Sequence, residues 1–175
     1  SGTTLLQSTT GATDQASAVV DIGLPFVFMG VPYTQFSVNN NGLMRFGSTV
    51  IGTTYSNALA ATSNLPLLAP FWDDLNSSTT EGTTKTHYKV TGSAPSRILT
   101  VEWKDAIIAY NASTAGGGST FQVRLFEESG KIEYVYGTMT IASGSSAVTA
   151  SIGFTNTNAN NGLISVTSLS TPAVI

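Results

Sequence analysis

The stretch that decides the fold class is 119-STFQVRLFEESGKIEYVYG-137. In its first half, apolar Phe121, Val123 and Leu125 alternate with the residues between them. A period of two indicates a β-strand that buries one face. The sequence EESGK then supplies turn residues, and residues 131–136 form the return strand. The stretch therefore predicts an antiparallel hairpin.

Two further hairpins are predicted toward the N-terminus. Residues 36–47, FSVNNNGLMRFG, alternate on both sides of Asn41-Gly42, a pair that tolerates the positive φ of a tight turn. Residues 86–92 and 97–106, THYKVTG and RILTVEWKDA, surround the turn sequence GSAPS. In the second of these strands, alternation places Trp103 on the same face as the aliphatic residues before it.

These patterns predict an all-β protein. Late strands are expected near residues 147–154 and 162–169, and one or two helical turns within residues 57–65. About ten strands with at most one short helix predict two packed antiparallel sheets, a β-sandwich or jelly roll. Residues 76–84, 113–120 and 155–162 read as polar loops.

The whole chain of 175 residues is expected to form a single domain, because its length suits one core and no boundary interrupts it. Residues 1–15 form a candidate N-terminal arm that is rich in threonine. This arm either opens the first sheet of its own domain or pairs with the sheet edge of a neighbouring subunit. Strand exchange of the second kind would build an extracellular fibre.

The composition excludes several kinds of partner. Only 10% of residues are charged, against about 25% in a typical soluble domain. The net charge is −3 and no basic run occurs, which argues against nucleic acid as a partner. No apolar run reaches the roughly 18 residues of a spanning helix, so membrane insertion is not expected. A neutral surface rich in Thr, Ser, Asn and Gly favours an extracellular or cell-surface location.

Two adjacent carboxylates stand out in LAPFWDDLN, residues 68–76. Neighbouring strand residues point to opposite faces, so Asp73 and Asp74 cannot act together on one substrate unless the strand has ended. One interpretation is the polar end of a buried strand. The other is a Ca²⁺ site built from Asp73, Asp74, Asn76 and loop carbonyls, since Ca²⁺ takes six to eight oxygen ligands. No cofactor is otherwise required.

The chain is not expected to be an enzyme. His87 is the only histidine, no GxSxG motif accompanies it, and the chain has no cysteine for a thiolate site. We interpret His87 as a surface or half-buried strand residue, and Trp72 and Trp103 as core residues. If the domain is a lectin-like module, we expect its ligand near three tyrosines that are exposed beside turns and near three asparagines. The candidates are Tyr33, Tyr55, Tyr110, Asn39, Asn40 and Asn111.

Taken in order, the strands resemble a nidogen-like (NIDO-type) extracellular domain. The resemblance rests on LPFVFMGVPYTQFSVNNNGLMRFG (24–47), LPLLAPFWDDLN (65–76) and RILTVEWKDA (97–106), followed by TFQVRLFEESGKIEYVYG (120–137) and SIGF (151–154). It covers roughly residues 19–155, and the motifs are more specific as an ordered set than singly.

The resemblance implies a non-enzymatic β-sandwich that serves adhesion or matrix attachment, with an extracellular protein or glycan as its partner. Similar modules occur in secreted and surface proteins of bacteria and in animal matrix proteins. This chain lacks the cysteines of the animal relatives, which favours a bacterial origin. Two other functions stay open from the residues alone: a self-associating fibre subunit and a carbohydrate-binding module.

Overall fold

The computed structural model describes residues 3–8, 14–63, 65–77, 83–108, 118–141, 149–156, 162–167 and 173–174. These residues contain thirteen strands and one 3-10 helix of three residues, Leu59–Ala61, where the sequence predicted a short helical segment. The strands are β1 (Thr4–Ser8), β2 (Val20–Phe28), β3 (Val31–Val38), β4 (Met44–Phe46), β5 (Leu67–Trp72), β6 (Leu75–Asn76), β7 (Lys85–Thr91), β8 (Ile98–Ile108), β9 (Ser119–Phe126), β10 (Ile132–Tyr136), β11 (Thr149–Thr155), β12 (Leu163–Ser165) and β13 (Ala173–Val174).

The strands form two antiparallel sheets, which confirms the predicted sandwich. One sheet has the order β1-β7-β8-β9-β10, with β6 also paired to β8. The other has the order β12-β11-β5-β4-β3-β2, with β13 also paired to β11. Strand β10 ends the first sheet and β12 the second, and both line one hollow on the same side of the molecule. Strands β1 and β2 form the opposite ends of the two sheets.

All three predicted hairpins are present. Strands β3 and β4 pair with Val38 opposite Met44, and the turn between them contains Gly42 at a φ of 82°. Strands β7 and β8 pair over seven residues, and β9 and β10 pair over five. One boundary was wrong: Ser119 and Thr120 belong to β9 rather than to the preceding loop, whose residues 113–117 lie outside the described ranges.

The main core lies between the two sheets. Both faces of the sandwich contribute alternate residues, as the period of two requires. Trp103 is 1% exposed and stacks on Phe121 with ring centroids 5.2 Å apart. Its indole Nε1 donates a hydrogen bond of 2.7 Å to the carbonyl oxygen of Asn39, which joins the two sheets at this end. The prediction that both tryptophans lie in the core is confirmed.

Strand β5 is buried on both of its faces. Leu68 and Phe71 face the main core, whereas Leu67 and Trp72 belong to a second apolar cluster with Ile51 and Leu59. The segment that contains Ile51 and the 3-10 helix therefore covers the outer face of β5. This arrangement explains why β5, the sequence LLAPFW, reads as a continuous apolar run rather than an alternating one.

The N-terminal arm pairs with its own domain. Strand β1 lies antiparallel to β7, with Thr4 opposite Tyr88 and Ser8 opposite Lys85. Of the two predicted arrangements for the arm, this is the one in which it opens the first sheet. The only helix in the described part of the chain is the 3-10 turn, so nothing there is long and apolar enough to cross a membrane as a helix.

Candidate functional site

The acidic pair closes a buried strand. Asp73 directly follows β5 and is 8% exposed. Its carboxylate accepts a hydrogen bond of 3.0 Å from Nδ2 of Asn57, which also donates to the hydroxyl oxygen of Thr149. The hydroxyl of Ser151 in turn donates to the carbonyl of Asn57. Asn57 thus joins the segment that covers β5 both to Asp73, at the end of β5, and to strand β11.

Burial governs the charge of this pair. Loss of hydration raises the pKa of Asp73 to about 6, and the neighbouring charge of Asp74 acts in the same direction. Hydrogen bonds from the Asp74 backbone and the Thr149 side chain oppose the increase. Burial also raises the pKa of Asp74, as does the nearby charge of Asp14. Because water stabilises a carboxylate better than this pocket does, ionisation of Asp73 opposes folding.

Asn76, the third residue of the predicted Ca²⁺ site, lies at the end of β6 and is 5% exposed. Its Oδ1 accepts a hydrogen bond of 2.7 Å from the backbone N–H of Ser77. Within the described ranges, no three His, Cys, Asp or Glu side chains group together as a metal site would need. The Ca²⁺ site at Asp73, Asp74 and Asn76 stays a prediction.

The side chains of Asn39 and Asn40, in the β3–β4 turn, are buried and form hydrogen bonds with backbone groups. Asn39 is fully buried; its Oδ1 accepts from the N–H of Leu43 at 3.0 Å and its Nδ2 donates to the carbonyl of Gly52 at 3.0 Å. Asn40 is 7% exposed, and its Oδ1 accepts from the N–H of Gln15 at 2.8 Å. These amides bond backbone groups of the turn and of two other segments, at Gln15 and Gly52, a role that the sequence pattern did not indicate.

The candidate tyrosines do not share one environment. Tyr33 is half-buried and stacks on Phe46 with centroids 5.3 Å apart, whereas Tyr55 is 54% exposed. Tyr110 and Asn111 lie outside the described residues. The described candidates therefore do not form one recognition surface, and a ligand-binding role for this set stays a prediction.

His87 belongs to a polar row on the outer face of the first sheet. Its Nε2 lies 2.7 Å from Oε1 of Glu102, and its Nδ1 lies 3.2 Å from Oγ1 of Thr3. Glu102 also accepts a bond of 2.5 Å from Nε2 of Gln122, whose Oε1 accepts from Nε of Arg124 at 3.0 Å. The row crosses β7, β8 and β9, and confirms His87 as a half-buried strand residue.

The electrostatics of this row are those of a cross-strand ladder. Burial would raise the pKa of Glu102, but the hydrogen bonds from Gln122 and His87 and the charges of His87 and Lys104 lower it below its usual value. The carboxylate is thus held ionised by two partners on neighbouring strands. Cross-strand polar pairs of this kind stabilise a sheet face modestly.

A groove opens where the two sheets end, between β10 on one side and β11 and β12 on the other. Its first hollow has a volume of about 350 Å³. Side chains of the three strands, together with Val166 just beyond β12, line it: Ile132, Tyr134, Ile152, Phe154, Ile164 and Val166. The hydroxyl of Tyr134 on β10 donates a hydrogen bond of 2.6 Å to the carbonyl oxygen of Gly153 on β11.

The groove continues past Tyr136 and Ile152 into a second hollow of about 350 Å³. Tyr136 donates a hydrogen bond of 2.6 Å from its hydroxyl to the carbonyl of Pro70. Burial raises the pKa of Tyr136 to about 12, so this hydroxyl stays protonated and keeps donating. The other residues here are Phe71, Ile108, Met139 and Ile141. We call the two hollows together the edge groove.

The edge groove is apolar and partly open to solvent. None of the residues named as its lining is charged. Ile164 is 54% exposed, Val166 74% and Ile141 44%. These three side chains are accessible to a partner from solvent. Sequence reasoning missed the edge groove because it depends on which strands end each sheet; the one local signal was the alternation of Ile164 and Val166.

Comparisons with protein families, with known proteins and with solved structures gave three results. A family model described as NIDO related matches residues 1–175. A segment of 63 residues is 35% identical to alpha-tectorin of Mus musculus and, equally, to alpha-tectorin of Homo sapiens. That segment is 36% of this chain but 3% of each relative, so the chain corresponds to a small part of those proteins. No solved structure matches the chain.

Proposed function

The chain belongs to the NIDO-related family, and from that premise we propose that it is a non-enzymatic extracellular module which attaches to another extracellular polypeptide through the edge groove. Family membership confirms the resemblance found in the sequence. The tectorin relatives suggest a matrix-type setting, whereas a bacterial origin stays a prediction. The attachment itself is carried by one observation, the uncharged apolar groove at the open side of the sandwich.

The polar sites described above favour attachment over catalysis. The buried carboxylate of Asp73 and the amide of Asn39 are hydrogen-bonded inside the fold. The carboxylate of Glu102 is shared between His87 and Gln122, which leaves it committed to the sheet face. Glu102 and His87 line a hollow of about 210 Å³, but they are bonded to each other, so neither is free for the acid–base chemistry that catalysis requires.

The chemistry of the edge groove selects its partner. An apolar lining without charges gains most from aliphatic or aromatic side chains, because burying charge there would cost free energy. The outer edge of β10, which pairs with no other described strand, offers backbone N–H and C=O groups, which favour an extended polypeptide over a sugar. We therefore expect the partner to supply an uncharged extended segment.

The experiment is retention on an array of purified matrix proteins and glycans that includes this chain itself. The test variant is Ile164→Asp, which puts a charge in the groove. Val27→Asp is the matched control, since Val27 is 56% exposed against 54% for Ile164 and lies on β2, away from the groove. We expect wild type and Val27→Asp to be retained on at least one protein spot, and Ile164→Asp to be lost from it.

Three outcomes would contradict the proposal. If the chain were retained on no spot, the proposed attachment function would be wrong. Equal retention of wild type and Ile164→Asp would show that the chain attaches through a surface other than the groove. Retention on glycans alone, insensitive to Ile164→Asp, would favour the carbohydrate-binding function instead.

A further inference from the structure

We propose that the polypeptide which occupies the edge groove is strand β1, Thr4–Ser8, of a second copy of this chain. Copies would then join by strand donation, each arm adding to the open side of its neighbour. The inference rests on the proposed function of the edge groove as an attachment surface and names its occupant.

The edge groove is shaped to accept a strand. Among the described strands, β10 pairs with β9 along one edge and with no strand along the other. A strand added to that free edge would complete the backbone hydrogen bonding of β10. Every second side chain of the added strand would point into the groove, because strand side chains alternate between faces.

Strand β1 fits its own sheet poorly. Gln7 is 7% exposed, and neither its Nε2 nor its Oε1 has a hydrogen-bond partner. The apolar Leu5, in contrast, is 57% exposed. The pairing with β7 shifts register between Leu5 and Gln7, so a polar side chain is buried while an apolar one is in solvent. A strand seated this way loses little when it leaves.

The chemistry of β1 suits the edge groove. The strand, TLLQS, carries no charge, and neither do the residues that line the groove. In regular strand geometry Thr4, Leu6 and Ser8 share one face, and Gln7 points the other way. With Leu6 in the groove, the amide of Gln7 would face solvent and regain its hydrogen bonds, while Leu5, on the same face as Gln7, would stay exposed.

Strand β1 is also free to detach as a unit. It ends its sheet and pairs with β7 alone among the described strands. Its departure breaks one ladder and leaves the order β7-β8-β9-β10 intact. Donation therefore leaves the fully buried core in place and withdraws only Leu6, a partly buried residue that packs against it.

The test is light scattering of the full chain after size-exclusion chromatography, over a range of protein concentrations. We expect wild type and Val27→Asp to form species whose mass rises with concentration. Ile164→Asp, which blocks the acceptor, is expected to stay monomeric. Deletion of residues 1–8, which removes the donor, is expected to do the same.

Two further samples keep the test decisive if the deletion does not fold. Gln7→Leu keeps β1 whole but removes the buried unpaired amide, which favours the state in which β1 pairs with β7 of its own domain. Assembly should therefore weaken about fivefold. A labelled peptide of residues 3–8 should bind Val27→Asp and not Ile164→Asp. Unchanged assembly in Gln7→Leu together with no peptide binding would overturn the inference.

The remaining outcomes separate this inference from the proposed function. Wild type that is monomeric at every concentration overturns strand donation, while array retention sensitive to Ile164→Asp would leave the attachment function standing. Assembly that survives Ile164→Asp but not the deletion shows reciprocal exchange of β1 at β7, which excludes the groove as acceptor. Assembly indifferent to the deletion excludes β1 as donor.

Discussion

At the scale of single residues, the buried carboxylate of Asp73 is a local weakness of the fold. Its hydrogen bond from Asn57 holds the cover of β5 in place, yet the ionised form is poorly hydrated. An asparagine at this position keeps an oxygen that can accept from Asn57 and has no charge to desolvate.

We predict that Asp73→Asn raises stability at neutral pH. The folded pKa is about 6 against an ordinary 3.8, so the folded chain holds the proton more tightly. The stability from this group is complete below about pH 4 and is lost as pH rises through about 6. Urea unfolding at about pH 7.5 should show a gain on the order of 1 to 2 kcal/mol, and near pH 4 almost none.

Asp21→Asn is the control, because Asp21 is an exposed carboxylate on β2. A metal site predicts a different pattern. If Ca²⁺ raised the melting temperature of wild type over a chelator, and Asp73→Asn lost both that increase and stability, the acidic pair would be a Ca²⁺ site rather than a strand end.

Gly42 makes a second prediction at this scale. It has a φ of 82°, and a Cβ atom added there would lie 1.9 Å from the carbonyl oxygen of Phe71. Gly30 has a φ of 83° with nothing within 4 Å of an added Cβ. We expect Gly30→Ala to lose about 1 to 2 kcal/mol from backbone strain, and Gly42→Ala roughly 3 kcal/mol or more. Equal losses in thermal unfolding would show that the turn can move away from β5.

At the scale of elements, the strand that fits worst is β1. Its buried amide at Gln7 lacks partners, whereas the amide of Gln122 on β9 is bonded at both ends, to Glu102 and Arg124. The two glutamines are therefore a matched pair in which the same substitution should act in opposite directions.

We predict that Gln7→Leu raises the free energy of unfolding by about 1 kcal/mol, because an apolar side chain has no unmet hydrogen bonds. Gln122→Leu should lower it by about 1 to 2 kcal/mol, because it leaves a half-buried carboxylate with one partner fewer. Both are read from urea unfolding at high dilution, where assembly does not contribute. A loss of stability in Gln7→Leu would show that the amide is well solvated and that β1 is not strained.

The elements differ in how far the sequence could predict them. Hairpins are local, and their turn residues and alternation lie within about twenty residues; each of the three was predicted from such a pattern. Strand β6, by contrast, has only two residues and pairs with Ile107 and Ile108 far along the chain. Two residues are too few to show an alternating pattern, so β6 can be recognised only from its pairing in the fold.

At the scale of the whole molecule, the edge groove could not be predicted, since it results from long-range pairing. Strand β11 lies beside β5 with Ser151 opposite Trp72, which are far apart in sequence. This pairing, with β12 beyond it, decides which strands end the second sheet. The sequence shows that Ile164 and Val166 alternate, but a buried face and an exposed interaction face have the same alternation.

The surroundings of Asn39 and Asn40 could not be predicted for a related reason. Asn39 and Asn40 lie in a polar run beside a turn, which is typical of exposed ligand-binding loops. Here the turn is folded under other segments, and the amides are bonded to backbone groups within the protein. Composition gives the polarity of a side chain, whereas its partners depend on segments brought close by the fold.

Strand addition to β10 can be tested by amide hydrogen exchange of the full chain under assembling and non-assembling conditions, with Ile164→Asp as control. If the edge groove receives a strand, the amides of β10, Ile132–Tyr136, gain protection when the chain assembles or binds an array partner, and Ile164→Asp abolishes the gain. The hairpin tip at residues 28–31 should stay unchanged. Protection that appears at this tip or on β7 and not on β10 would contradict the account.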